Sequence, residues 1–272
     1  MDIPKNYNYN IDQVIINKYL PYLDLVGLPS DVTISTITLT CNFNTEFIIK
    51  NISKYLKQYS LPEKKKRNKN QKRKKFYNQE TLIYRSEVLN NKINVKIFKN
   101  GSLQITGSKS LENFLEIMIR VCDQLKNIKI IYKNDSVLTK NFAVDPEQVD
   151  IMKINNIKIQ LINSNYTVNF NVDRPKLDNL LKINNYNSSF EPWFHAAVKI
   201  KYDVGDNRKV SVFIFEKGAI IITGSNNKYD LIKAYNFINE FLFQNFKEIL
   251  SSSLEDYINC PEIIELLQRH SI

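Results

Sequence analysis

The feature that most constrains this chain is a turn that occurs twice. Residues 97–108 read IFKNGSLQITGS and residues 214–225 read IFEKGAIIITGS, identical at seven of twelve positions with a constant offset of 117. Four of the six glycines (Gly101, Gly107, Gly218, Gly224) fall inside this pair. Glycine enters left-handed backbone without steric cost, so its concentration here points to one backbone geometry built twice. The pattern predicts a strand ending at Ile97-Phe98, a tight turn at Gly101, a second strand through Leu103–Thr106, and a break at Gly107-Ser108. The second copy repeats this with Phe213–Phe215, Gly218, Ile220–Thr223 and Gly224.

Both copies run on into apolar residues spaced by three and four: Leu111, Phe114, Leu115, Met118, Cys122 and Leu125, then Leu231, Ala234, Tyr235, Ile238, Phe241 and Leu242. Each stripe predicts a helix with one face on a sheet. Upstream, TISTITLTC at 33–41 alternates as a strand and is followed by NFN at 42–44; Gln160–Val168 is likewise followed by NFN at 169–171, at an offset of 127. On that alignment the first copy holds about ten extra residues before its IF-turn, the size of the basic run described below. Each unit reads strand, helix, several strands, long helix. Two such units are too few for a solenoid. The expected fold is α+β: two tandem pseudo-symmetric repeats forming a saddle-shaped antiparallel sheet, with helices on the convex face. The expected divisions are an N-terminal extension at 1–28, a first repeat at 29–135 with a basic insertion at 62–76, a second repeat at 136–250, and a helical tail at 251–272, where PEIIELLQRH (261–270) reads as a short amphipathic helix.

Charge is as unevenly distributed as glycine. Of 38 basic residues, nine lie in KKKRNKNQKRKK at 64–75, which has no acidic residue; the remaining 29 nearly balance the 28 acidic ones. Such a run reads as a solvated loop, a phosphate-attracting device or a nuclear address. The 272 residues are 43% hydrophobic, enough for a core, and no stretch reaches the roughly 18 apolar residues of a membrane helix. The N-terminal MDIPKNYNYN is not expected to be a signal peptide. Three scattered cysteines and two histidines offer no metal-ligand spacing, so neither a metal nor another cofactor is expected. The chain has no phosphate-binding G-x-x-x-x-G-K-[ST], no H-E-x-x-H and no nucleophile elbow. His195 lies near Glu191, but a local pair of this kind is far more often a surface feature than a general base, and an enzyme is not expected.

The repeated I-F-x-x-G-x-x-x-x-T-G-S, followed by a helix, resembles the TATA-box-binding protein family, whose motif is an IF-turn leading to a TGAK strand end. Ser188–Phe194 (SSFEPWF) resembles that family's SSYEPELF, which also precedes its second IF-turn, and ISTITLTC at 34–41 is a weaker echo of its first-repeat strand. The resemblance spans roughly residues 30–248. It implies a concave sheet that lies on the minor groove of AT-rich double-stranded DNA and kinks it with aromatic wedges.

Carried over by motif, Phe194 and Phe215 are the second-repeat wedge pair and Phe98 is the first-repeat wedge. Its partner is missing: Gln79 stands where a Phe is expected, and Phe76 lies three residues earlier. Strand alternation adds Lys96, Gln104 and Thr106 to the face of Phe98, and Phe213, Ile221 and Thr223 to that of Phe215. The family's base-contacting asparagines fall near Val32 and, in the second copy, among Asn156, Leu161 and Asn163. Glu191 and Trp193 become contacts for a transcription factor IIB-like protein, with RNA polymerase machinery beyond it. The resemblance further implies action in a nucleus or viral factory, and a second copy of the chain is another candidate occupant of the concave face. The competing reading keeps the fold as a protein-interaction or DNA-packaging module without sequence recognition. The more polar first half favours it, and so do Ser102 and Ala219, which replace the family's turn lysines.

Overall fold

Successive residues along the predicted strands alternate between buried and half-exposed, which fixes where the core sits. The computed structural model of the protein describes residues 18, 26–57, 60–62, 77–126, 129–131 and 137–251. The basic run 64–75, Phe76, the expected tail helix and nearly all of the extension 1–28 lie outside the described residues. The chain divides into two compact units: Thr36–Leu161, here the first-repeat unit, and Ile162–Ile272 together with Met1–Ser35, the second-repeat unit.

In the first-repeat unit the strands are β1 (Thr33–Asn42, its residues from Thr36 onward), β2 (Gln79–Arg85), β3 (Lys92–Phe98) and β4 (Ser102–Ser108). They pair antiparallel in the order β2-β3-β4-β1. Leu82, Val95, Ile97, Leu103, Ile105 and Leu39 are buried on one face. A short helix α1 (Ile49–Asn51) continues as a wider turn through Ile52–Leu56, and α2 (Leu111–Lys126) buries Phe114, Ile117, Met118, Val121 and Leu125. Each such side chain contributes about 1.5–3 kcal/mol on leaving water. A small ladder, β5 (Lys129–Ile131) with β6 (Val137–Thr139), follows.

The second-repeat unit repeats the plan. β7 (Asn155–Thr167, from Ile162 onward), β8 (Asn187–Ser189), β9 (Val198–Gly205), β10 (Arg208–Ile214) and β11 (Ala219–Ser225) pair antiparallel in the order β7-β11-β10-β9-β8. Helix α3 (Arg174–Ile183) starts at Asp173, whose carboxylate accepts the Lys176 N–H at 3.1 Å, with Pro175 in the first turn. Helix α4 (Lys228–Gln244) starts at Asn227, whose side chain accepts the Asp230 N–H at 2.9 Å. Buried Asp230 also takes Arg208 at 2.6 Å, which ties the start of β10 to the head of α4. A further short helix, α5, spans Phe246–Ile249. The β9–β10 hairpin turns on Asp206 and Asn207, both with positive φ, the geometry that matches the natural strand twist.

The internal symmetry is visible bond by bond. Phe43 N–H donates to Gly101 O (3.0 Å) and Val168 N–H to Gly218 O (2.9 Å); Phe47 N–H donates to Lys99 O (2.8 Å) and Val172 N–H to Glu216 O (2.7 Å). These pairs set the strand offset at 125, not the 127 implied by matching the two NFN triplets, so the first copy carries eight extra residues rather than ten. The triplets are not structural equivalents: Phe43 corresponds to Val168 and Thr45 to Phe170.

A second correspondence joins segments with no shared sequence pattern. Ile48 N–H donates to Phe142 O and Val144 N–H to Glu46 O, just as Asp173 N–H donates to Ile249 O and Ser251 N–H to Asn171 O. In both units the chain beyond the long helix therefore returns to close on the segment after the first strand. Phe142–Val144 lies in the first-repeat unit, although the sequence places the division after residue 135. Gly107 and Gly224, both at positive φ, sit at equivalent β-bulges where the pairing with β1 and β7 shifts.

Candidate nucleic-acid interface

The sheet face opposite the helices carries the candidate residues, and the strand registers order them into rows. Directly opposed residues of antiparallel strands share a face. In the second-repeat unit one row is Lys199, Phe213, Ile221 and Asn165, and the next is Lys201, Ser211, Thr223 and Asn163. Phe213, Ile221 and Thr223 are half-buried, while Val210, Val212, Ile214, Ile220 and Ile222 between them are fully buried on the helix side. The three side chains that alternation along the sequence groups together thus lie on the half-buried face of β10 and β11.

Phe215 follows β10, held by its N–H to Ala219 O at 2.9 Å and by Gly218 N–H to its own carbonyl at 3.1 Å. The ring that stands beside it is His195, at a centroid distance of 5.9 Å; the same imidazole lies 5.2 Å from Phe213. His195 Nδ1 accepts the Ala197 N–H at 3.1 Å, which orients the ring. Lys199 Nζ lies 6.0 Å from the Phe213 ring centroid, within reach of its negative face. Phe194 is 86% exposed and Trp193 94% exposed. Both lie on a turn closed by the N–H groups of Phe194 and His195 on the carbonyl of Glu191, itself exposed. Although His195 stands near Glu191 in the sequence, its ring contacts are to the two phenylalanines of the sheet face.

In the first-repeat unit the corresponding rows are polar apart from Ile83. Thr81, Lys96, Gln104 and Thr40 form one, and Ile83, Asn94, Thr106 and Thr38 the next. Phe98, half-buried at the end of β3, is directly opposed by Gln79. It borders an open depression lined with Glu46, Asn78, Lys99 and Asn100. Phe76 precedes Gln79 by three residues, the spacing at which Phe194 precedes Ala197, and lies outside the described residues. Tyr77, at the spacing of His195, is 91% exposed.

Asn163 sits opposite Thr223 and accepts a short hydrogen bond from its hydroxyl, and Asn165 Oδ1 accepts from Thr33 at 2.9 Å. Asn156 lies at the start of β7 with positive φ, and Val32 is buried. At the position equivalent to Asn163 stands Thr38, whose hydroxyl lies 3.4 Å from that of Thr106.

The buried thiols offer no reactive centre: burial, and then the nearby Cys122, push Cys41 up to about 12, while burial, and then Asp150 and Asp123, push Cys122 to the same value. Among the described residues, no group of three metal-type ligands occurs and no helix is long and apolar enough to cross a membrane.

Comparison with known proteins joins these observations. The family described as Transcription factor TFIID (or TATA-binding protein, TBP) matches residues 31–128 and 156–245, one block for each IF-turn and its strands. A protein of Acanthamoeba polyphaga mimivirus described as TATA-box-binding protein-like is 32% identical over 303 residues, covering 98% of this chain and 80% of that relative. Methanococcus jannaschii TBP aligns with a TM-score of 0.47 at 18% identity, over 78% of this chain and 98% of that one. With two antiparallel α+β repeats, paired glycine turns and a family match over both, the chain belongs to the TATA-binding protein family.

Proposed function

We propose that the protein is a non-enzymatic transcription initiation factor that binds AT-rich duplex in the minor groove through its open sheet faces and bends it. The observation that carries this reading is the second-repeat face: Phe213, Ile221, Phe215 and His195 lie together on the side of the sheet away from the helices, flanked by Lys199 and Lys201. The floor of an A·T minor groove offers acceptors and no amino group, so an apolar surface edged with amide donors and cations complements it. Phe215 is the wedge of this half, with His195 packed against it and Phe194 on the adjoining turn. Phe98 is the wedge of the other half. Prying open a base step costs a few kcal/mol, which contact between rings and unstacked bases offsets.

Trp193, large and almost fully exposed beside Glu191, suits an anchor for a transcription factor IIB-like partner that links the protein to RNA polymerase. Its place of action is then where transcription runs, a nucleus or a viral factory. A specific observation favours a second reading: the polar rows around Lys96 and Gln104 fit a fold kept as an interaction or packaging module, with DNA held by the basic run alone or the face occupied by a second copy.

Fluorescence anisotropy of AT-rich and GC-rich duplexes over a salt series separates the two. The proposed function predicts AT-rich preference at every salt concentration. The second reading predicts equal affinities that fall together with a slope set by the number of phosphates neutralised.

A further inference from the structure

The two open faces differ in chemistry at equivalent positions of their central strands. Lys96 stands where the other unit has Phe213 and Gln104 where it has Ile221, while the next position in the row is polar in both, Thr40 in one and Asn165 in the other. On the helix side of β3 and β4 the residues stay aliphatic, as on β10 and β11: Val95 and Ile97 match Val212 and Ile214, and Leu103 and Ile105 match Ile220 and Ile222. Drift without a function for the face would leave scattered polar residues. Here the two changed residues, Lys96 and Gln104, are directly opposed and adjoin Thr40, and Gln160 extends the polar row, its Nε2 donating to Thr40 Oγ1 at 2.8 Å.

We infer that the first-repeat face reads a mixed-sequence segment in which G·C pairs are accepted, while the second-repeat face requires A·T. The inference rests on the minor-groove reading above. In that groove A·T and T·A pairs present only acceptors, and a G·C pair adds the guanine N2 amino donor. Against Phe213 and Ile221 that amino group loses its water and gains no partner, a desolvation penalty that falls on G·C alone. Against the first-repeat row it meets an acceptor, the Gln104 Oε1, where the other unit has the Ile221 side chain. Lys96 supplies a donor to the N3 and O2 acceptors that every pair presents, so it adds affinity without choosing a base. The polar row is a reading surface of different selectivity.

The test is selection of bound sites from a random-sequence duplex pool, followed by titration of single-pair substitutions. It uses the full chain, a variant with Lys96→Phe and Gln104→Ile, and a separate Ile221→Gln variant. All three changes lie on open faces, and thermal melting checks that each variant folds. The wild type should recover sites that contain both an A·T run and positions where G·C costs less than about threefold. The double variant should raise that cost to roughly tenfold per pair, and Ile221→Gln should admit G·C within the former A·T run. Sites that are A·T throughout for the wild type would overturn the inference and leave minor-groove binding standing. So would a G·C tolerance that neither variant moves. Recovery of no enriched sequence at all would overturn both.

Discussion

Gly101 and Gly218 occupy the same place in the two units, each accepting an N–H from the residue that leaves the first strand, Phe43 at 3.0 Å and Val168 at 2.9 Å. Both hold positive φ, and a Cβ on either would press on backbone oxygens: Thr45 and Phe43 at 2.3 and 2.4 Å for Gly101, Val168 and Phe170 at 2.2 and 2.8 Å for Gly218. Backbone cannot step aside as a side chain does. Gly101→Ala and Gly218→Ala should therefore each destabilise the protein by about 3 kcal/mol or more, from strained φ and from the clash together. Gly205 has comparable φ but open space around it, so Gly205→Ala should cost only about 1–2 kcal/mol. Urea denaturation measures all three, and a Gly205 loss equal to the others would contradict the assignment of the clash.

Removing residues 64–75 should leave circular dichroism and melting temperature unchanged, because the run contains nothing apolar to bury. DNA affinity should fall most at low salt, and the salt slope should shrink by about one unit for each phosphate the run had neutralised. Loss of the cooperative transition would show that these residues belong to the fold.

Glu116 on α2 ties down the β2–β3 turn. Burial alone would raise its pKa, but hydrogen bonds from the Ser86 hydroxyl and the N–H groups of Glu87 and Val88, with Arg120 nearby, hold it below the ordinary carboxylate value of 4.5. A carboxylate with a depressed folded-state pKa contributes stability that is complete above its unfolded value and lost as pH falls through the folded one. Glu116→Gln should thus cost about 1–2 kcal/mol at pH 7 and reduce the loss of stability on acidification below about pH 4.5. Urea melts at several pH values check both, and an unchanged acid dependence would contradict the role given to Glu116.

Trp193→Ala should leave stability and DNA affinity within about 0.5 kcal/mol of wild type, since the ring buries almost nothing within the chain. It should weaken assembly of a DNA complex with a transcription factor IIB-like protein by tenfold or more, as expected when an aromatic anchor is removed. Mobility shifts with and without that partner make the comparison, and an equal loss in both would place Trp193 on the DNA instead.

The sequence made some of this legible because geometry left a residue-type record. Paired glycines marked the turns and bulges, and period-two alternation placed Phe213, Ile221, Thr223, Lys96, Gln104 and Thr106 on open faces. It misled where chemistry was shared without geometry: the NFN triplets look alike, yet the ladder pairs Phe43 with Val168. It was silent where only backbone atoms carry the symmetry, as in the closure of Phe142–Val144 and Ile249–Ser251, since a carbonyl acceptor asks nothing of its side chain. His195 was visible as a residue but not as a neighbour of Phe213 and Phe215, because the turn at Glu191 sets its direction.

The most direct test of the account is fluorescence energy transfer between the ends of a short AT-rich duplex. The wild type should bring the ends together. Phe215→Ala should abolish the bend, because the apolar second-repeat face then loses its wedge, while Phe98→Ala should reduce it less, since Gln79 and Lys96 already fill that step poorly. Equal losses from the two substitutions would contradict the asymmetry, and a wild-type protein that leaves the duplex straight would contradict the proposed function itself.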